Sequence, residues 1–192
     1  MPEHTPHPAG RIVIDDHLQE QDPAGVLADI RRDLLRTPRE ISPKWFYDER
    51  GSRLYETICE LPEYYPTRTE AAMLQRLGGE IAARTGAAEL VELGSGSATK
   101  TQQALDALQR AGTLRRYVPF DFSAVTMQRA AEELVSRYAD LRVHGVVGDF
   151  MHQLEHIPAA SGERRLVIFL GGTIGNFRPP EAADFLARLA AR

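Results

Sequence analysis

Residues 90–101, LVELGSGSATKT, hold the side-chain types and the spacing from which a ligand site is built. The apolar run Leu90, Val91 and Leu93 is interrupted by one acid, Glu92, and ends in two glycines one residue apart, Gly94 and Gly96. A helical pattern through Ala104, Leu105 and Leu108 follows. A strand that breaks at glycines and feeds a helix lets a ligand approach the backbone and offers it the unpaired N–H groups of a helix start. The chemistry on offer is nucleotide binding, and tight packing of a strand against a helix is the plainer alternative.

Three nucleotide turns compete for this segment. The phosphate-binding pattern G-x-x-x-x-G-K-[ST] is met by Gly94, Lys100 and Thr101, but Thr99 stands where the second glycine must let the loop wrap a phosphate. The dinucleotide pattern G-x-G-x-x-G fails at the same threonine. The shorter acidic-x-G-x-G turn of S-adenosylmethionine sites is met by Glu92, Gly94 and Gly96, and that ligand has no phosphates to cradle.

The elements that must position this turn follow from composition and periodicity. The chain has 192 residues, 43% hydrophobic and 26% charged, with a formal net charge of −4 and no basic cluster. That is ordinary for a soluble globular chain and argues against a nucleic-acid surface. A single cysteine, Cys59, excludes an internal disulfide, and no Cys/His set has zinc spacing. With no membrane-length apolar run and no signal-peptide core, a cytoplasmic protein is expected, with no membrane or nucleic-acid partner. Residues 1–20 read as a flexible tail, carrying only the short apolar patch Ile12–Ile14. Residues 21–80 read as a helical segment. Its helices are 24–36, one capped by Ser52 and carrying Leu54, Tyr55, Ile58 and Leu61, and one capped by Thr67 and ending near Gly78–Gly79. Residues 81–192 alternate strands at 89–93, 116–120, 143–147 and 166–170 with helices at 99–111, 124–138 and from Pro180 onward. Repeated βα units imply a parallel sheet covered on both faces, whose ligands bind at the carboxyl ends of the strands.

Each strand exit then offers a group suited to an adenosyl ligand. Asp121 ends the second strand beside the glycine turn, where it can accept from ribose hydroxyls; capping the helix that begins near Ser123 is its alternative. The third strand exits as Gly148-Asp149-Phe150, an acceptor for an exocyclic amine next to an aromatic face, or a capped turn with a core phenylalanine. The fourth exits as GGTIGNF, residues 171–177, with three glycines in five residues and Asn176 as its one amide side chain.

In order along the chain, KWFYD, LPEYYPTRTE, ELGSGSATKT, YVPFDFS, GVVGDF and FLGGTIGNF resemble the L-histidine Nα-methyltransferases of ergothioneine biosynthesis, from about residue 40 to the end. The resemblance implies a Rossmann-like class I methyltransferase, with about four of its roughly seven parallel strands present and an N-terminal helical substrate-binding segment. It implies trimethylation of the histidine α-amino group to hercynine with S-adenosylmethionine as methyl donor and no metal. By the family's pattern Gly94, Ser95 and Lys100 line the methionine end of the cofactor, Asp121 the ribose, and Asp149 with Phe150 the adenine. Tyr64 and Asn176 are the catalytic pair that hold the amino acid's carboxylate and amine, and Tyr47 flanks that pocket.

Methyl transfer from a sulfonium needs alignment and exclusion of water more than a strong base, since an α-amino group has a pKa of only about 8. Tyrosine hydroxyls and an asparagine amide grip a zwitterion without adding charge beside a cationic donor. Tyr55 and Tyr65 read as ordinary aromatics of the helical cluster, Trp45 and Phe46 as core, and Cys59 as a small buried hydrophobe. His144 reads as a packed or edge strand residue, and His152 and His156 as surface residues with no third metal ligand in reach. Two other readings stay open: an Nα-methyltransferase for another amino acid, such as a tryptophan derivative, and an inactive truncated paralogue acting as a binding partner. The strand count implies a fragment, a truncated frame, or a separate chain that supplies the remaining half, including the imidazole pocket.

Overall fold

The computed structural model describes residues 10–18, 23–46, 49–96, 98 and 100–192. The elements run β1 (Ile12–Asp16), α1 (Pro23–Leu34), a 3-10 turn (Pro43–Phe46), α2 (Glu49–Glu60), α3 (Pro66–Thr85), β2 (Glu89–Leu93), α4 (Thr101–Arg110), β3 (Arg116–Asp121), α5 (Ala124–Arg137) and β4 (Arg142–Val147). A 3-10 turn (Leu154–His156), β5 (Arg165–Ile168), a 3-10 turn (Thr173–Asn176) and α6 (Pro179–Ala190) complete them.

The strands form one parallel sheet in the order β1-β4-β3-β2-β5. All five residues of β2 are buried, as expected of a central strand covered on both faces. Alternation along each strand splits the core. Leu90, Tyr117 and Val143 meet Leu105 and Leu108 of α4 and Leu134 and Val135 of α5 on one face. Val91, Val118, Phe120 and Val146 meet Leu154, Ile157, Phe185 and Leu189 on the other, under α6. The chain steps outward from β2 to β3 to β4, then returns to the opposite side of β2 for β5. The sheet therefore has a switch point between β2 and β5, where crevices for ligands form at the carboxyl ends. The doubly wound α/β reading of the sequence is the observed one. No helix among the described residues is long and apolar enough to cross a membrane.

Four details differ from expectation. The sheet has a fifth strand, because Ile12–Asp16, assigned to a tail, pairs with β4 from Ile12↔Val143 to Asp16↔Val147. Its short, half-exposed pattern with two terminal acids carried little strand signal. It is held by contacts distant in sequence. The Arg11 guanidinium donates to the carbonyls of Val135, Tyr138 and Ala139 at 2.8, 2.9 and 2.7 Å, closing the C-terminal end of α5. Asp15 Oδ2 meets His144 Nε2 at 2.7 Å, while Arg116 donates to the other ring nitrogen at 2.9 Å. Second, α2 starts at Glu49, so Ser52 lies within it rather than capping it. Third, α3 starts at Pro66 and runs through Gly78–Gly79 to Thr85, ending at Gly86 in the left-handed region at φ 56°. Gly78 is a packing glycine: a Cβ there would sit 3.0 Å from the Ala107 Cβ of α4. Phe46, expected in the core, is 61% exposed.

At the amino ends of the strands, away from the switch point, the buried Glu89 carboxylate is held by Arg116 Nη1 at 2.9 Å and by the Arg165 guanidinium. This ties β2 to both its neighbours.

Gly145 of β4 faces Met127 of α5 and Ile14 of β1; an added Cβ would collide with the Met127 sulfur and lie 3.3 Å from Ile14 Cγ1. Gly145→Ala is expected to lower unfolding free energy by about 1–3 kcal/mol, measured by chemical denaturation.

Candidate active site

The glycine loop leaves β2 with Gly94 at φ 70° and Gly96 at φ 50°, and Ala98 follows at φ 55°. A side chain at either glycine would be strained by the backbone. Below the loop, Glu92 is fully buried. Thr101, the first residue of α4, donates its hydroxyl to the carboxylate at 2.6 Å, and the Tyr117 hydroxyl of β3 donates to Oε2. Burial raises the Glu92 carboxyl to about 7, with the two hydroxyl donors acting in the opposite sense. Burial pushes the Tyr117 phenol well above its usual range, and the adjacent Glu92 adds to it. The Thr101 hydroxyl, committed to Glu92 and buried, is thus not presented as a phosphate or metal site would require, which sets aside the phosphate-loop alternative.

Asp121 at the end of β3 accepts from the Gly96 N–H at 2.8 Å through Oδ2 and from the Ser123 N–H at 3.2 Å through Oδ1. Burial raises its carboxyl and these backbone donors partly offset that. The helix cap is Ser123, whose hydroxyl accepts from the Thr126 N–H. Asp121 therefore reaches the glycine loop and is not itself the cap.

A cavity of about 1250 Å³ opens at the switch point. Gly94, Ser95, Lys100, Asp121, Phe150 and Asn176 all line it, so the structure brings together most of the residues that sequence reasoning selected. Tyr64 lines a smaller pocket of about 110 Å³, which shares Tyr55, Thr67, Lys100 and Gly171 with the larger one. Asp149 lies beneath the lining. Its Oδ1 accepts from the Met151 N–H at 2.9 Å, and its Oδ2 meets Lys44 Nζ at 2.8 Å and His152 Nδ1 at 2.9 Å. Burial alone would raise the Asp149 carboxyl, but the His152 and Lys44 hydrogen bonds and charges hold it below its usual value. Phe150 packs edge-on to Phe120 and Phe169, and a Cβ at Gly94 would be 3.9 Å from its ring. It is both a core aromatic and a wall of the cavity. Tyr47 lies outside the described residues.

Sequence reasoning passed over three residues at this site. Glu70 of α3 accepts from Lys100 Nζ at 2.6 Å and from the Gly171 N–H at 2.8 Å. It stood inside the motif string LPEYYPTRTE, but nothing there marked its partners. Lys44 covers Asp149, and the signal was only its place beside Trp45. Tyr55, read as a cluster aromatic, lines both cavities, with its hydroxyl 3.5 Å from that of Tyr64. Burial and the Tyr64 hydroxyl push its phenol up. Cys59, half-buried, accepts from Thr67 Oγ1 at 3.3 Å and also lines the cavity. His152 is bound to Asp149, and His156 stacks on His17 with centroids 3.7 Å apart. Among the described residues no group of three or more His, Cys, Asp or Glu side chains could hold a metal ion.

The profile of the histidine-specific, S-adenosylmethionine-dependent methyltransferases matches residues 26–192. The chain belongs to that family. It is 47% identical over 184 residues to the histidine N-alpha-methyltransferase of Mycobacterium tuberculosis, covering 94% of this chain and 56% of that one. The enzyme of the same name from Mycolicibacterium smegmatis is 48% identical over 162 residues, covering 84% of this chain and 50% of the relative. Ergothioneine biosynthesis protein 1 of Neurospora crassa is 33% identical over 152 residues, covering 78% of this chain and 17% of that protein. The chain spans about half the length of the two mycobacterial relatives.

S-adenosylmethionine is the methyl donor of this family, and the site fits it. The Ser95 hydroxyl is buried at the loop with no hydrogen-bond partner among the described residues, which suits a polar ligand atom. The left-handed Gly94 leaves open the space between the loop and the Phe150 ring. The cavity volume is ample for a ligand of this size.

Glu92 yields a pH signature. Its carboxyl titrates near 7 in the fold and near 4.5 when unconstrained, so the folded state binds the proton more tightly. Its destabilising effect is absent below about pH 4.5 and complete above about pH 7, at about 3 kcal/mol. Unfolding free energy of Glu92→Gln should vary less across this window than that of the unaltered chain, as read by urea denaturation at successive pH values.

Proposed function

We propose that this chain carries the cofactor site and part of the substrate site of an enzyme that methylates the α-amino group of L-histidine three times, giving hercynine in ergothioneine biosynthesis. The observation that carries the reading is the continuity of the two cavities. The small pocket bearing Tyr64 meets the large one at Lys100 and Gly171, beside the glycine loop. A methyl acceptor in the first would face a methyl donor in the second. Family membership gives the reaction class, and the identity to histidine-methylating relatives supports the substrate.

When bound, S-adenosylmethionine supplies an electrophilic methyl group on a sulfonium. On this reading Gly94, Ser95 and Lys100 hold its amino acid end, Asp121 accepts from the ribose hydroxyls, and Asp149 with Phe150 holds the adenine. Asp121 is prepared for this role because the Gly96 and Ser123 amides already fix its carboxylate. Asp149 has both oxygens engaged, so adenine recognition there requires Lys44 or His152 to share Oδ2. Tyr64 and Asn176 orient the histidine amine and carboxylate, with Tyr47 beside them. The amine loses its proton to solvent before it attacks, since only the neutral form has a lone pair to offer the methyl group. The aromatic faces of Tyr64 and Tyr55 then suit a growing methylammonium. Binding the two partners in contact replaces an encounter in solution, and that alignment is the chain's main contribution to rate.

Asp121→Ala tests the cofactor assignment. Affinity for S-adenosylhomocysteine, measured by calorimetry, should fall at least about tenfold, and less in Asp121→Asn, which keeps an acceptor for the Gly96 amide. Unchanged affinity would reduce Asp121 to a loop fastener. The substrate assignment is tested by adding histidine or tryptophan to the cofactor-loaded chain. Heat from histidine alone is expected, whereas a response to tryptophan alone sinks the histidine reading.

A further inference from the structure

We propose that Glu70 is a positioning residue that sets Lys100 at the amino acid end of the methyl donor and fastens the substrate-side helix to that point. The inference rests on the assignment of Lys100 made above. Glu70 divides its carboxylate between two partners: Oε2 takes the Lys100 ammonium at 2.6 Å and Oε1 takes the Gly171 N–H at 2.8 Å. Those contacts join three separate parts of the chain, which are α3, the residue that leads into α4, and the exit of β5. Each part contributes to the wall shared by the two cavities.

The geometry suits positioning better than simple surface pairing. The side chains of Lys100 and Glu70 are only 22% and 27% exposed, so solvent screens the pair less than it would an open one. A lysine stem has several rotatable bonds and samples a wide volume unless its head is held. The ammonium has three donors and Glu70 takes one, which leaves Lys100 free to donate to a ligand carboxylate without breaking the pair. The second oxygen is committed to Gly171, which lies at φ 79° ahead of a second left-handed glycine. That bond fixes the carboxylate against rotation and the strand exit against the helix together. Glu70 is also the one carboxylate among the residues lining the small pocket, and it lies in the second turn of the helix that begins just after Tyr64. The pair thereby couples the place where the donor's charged end is held to the place where Tyr64 meets the acceptor.

Two nucleosides read this role by calorimetry on the full chain. S-adenosylhomocysteine carries the amino acid end, and 5′-deoxy-5′-methylthioadenosine shares the adenosyl and thioether but lacks it. Glu70→Ala should weaken S-adenosylhomocysteine about tenfold or more and methylthioadenosine less than about twofold. Glu70→Gln is nearly isosteric and can satisfy only one of the two donors; it should show the same selective loss with an unchanged melting temperature. Lys100→Met should show it too, and Glu70→Ala added to Lys100→Met should cost nothing more. Equal weakening of both nucleosides, or of neither, in the Glu70 variants while Lys100→Met remains selective overturns the inference and leaves the Lys100 assignment standing. A Lys100→Met chain without selectivity, or an unaltered chain that binds neither nucleoside, overturns both.

Discussion

The ligand side of the sheet depends on one buried carboxylate. Glu92 lies at the cavity wall below the glycine loop, and its two hydroxyl donors come from the first residue of α4 and from the neighbouring strand. Because one partner is Thr101, the bond sets where α4 begins relative to the end of β2. The residues between must then turn within a fixed span, and they do so with left-handed conformations at Gly94, Gly96 and Ala98. Lys100, immediately before Thr101, inherits its position from the same bond. Leaving an acid in a dry core is costly unless its lone pairs are met, and here two hydroxyls donate to it.

The two ends of the sheet use charge differently. At the amino ends, Glu89 is enclosed between two guanidinium groups, an arrangement that holds three strands in register and leaves nothing for a ligand. At the carboxyl ends, Asp121 lines the crevice and Asp149 lies just beneath it, fastened by backbone amides and by the side chains of Lys44 and His152. The ionic tie belongs to the fold and the fastened aspartates to the site. Both patterns follow from the same parallel topology, which gathers strand exits at one end only.

How much of this was legible in the sequence follows the range of the interactions. The central strands and their helices were visible because burial on both faces produces continuous apolar runs and amphipathic helices produce a regular period. The glycine loop, Asp121 and Phe150 were visible because each sits at a strand exit, a position that topology makes meaningful. β1 was not, since its five residues gain their stability from Arg11 and Asp15 reaching partners on α5 and β4. The length of α3 was misjudged because a glycine pair reads as a stop. Only the close approach of α4 shows that Gly78 is there for packing. Glu70 and Lys44 were hidden for the same reason: an acid or a lysine on a helical segment has no local mark of the distant group it will hold.

The placement of β1 also bears on how the chain reaches this state. Its contact with β4 joins residues 129 positions apart, as the Asp15–His144 pair shows. Loop closure over such a span must precede any gain from pairing, so β1 waits for sequence made much later. β1 is made before β4 and can pair only once β4 is there to receive it, so this strand joins the sheet out of its order of synthesis.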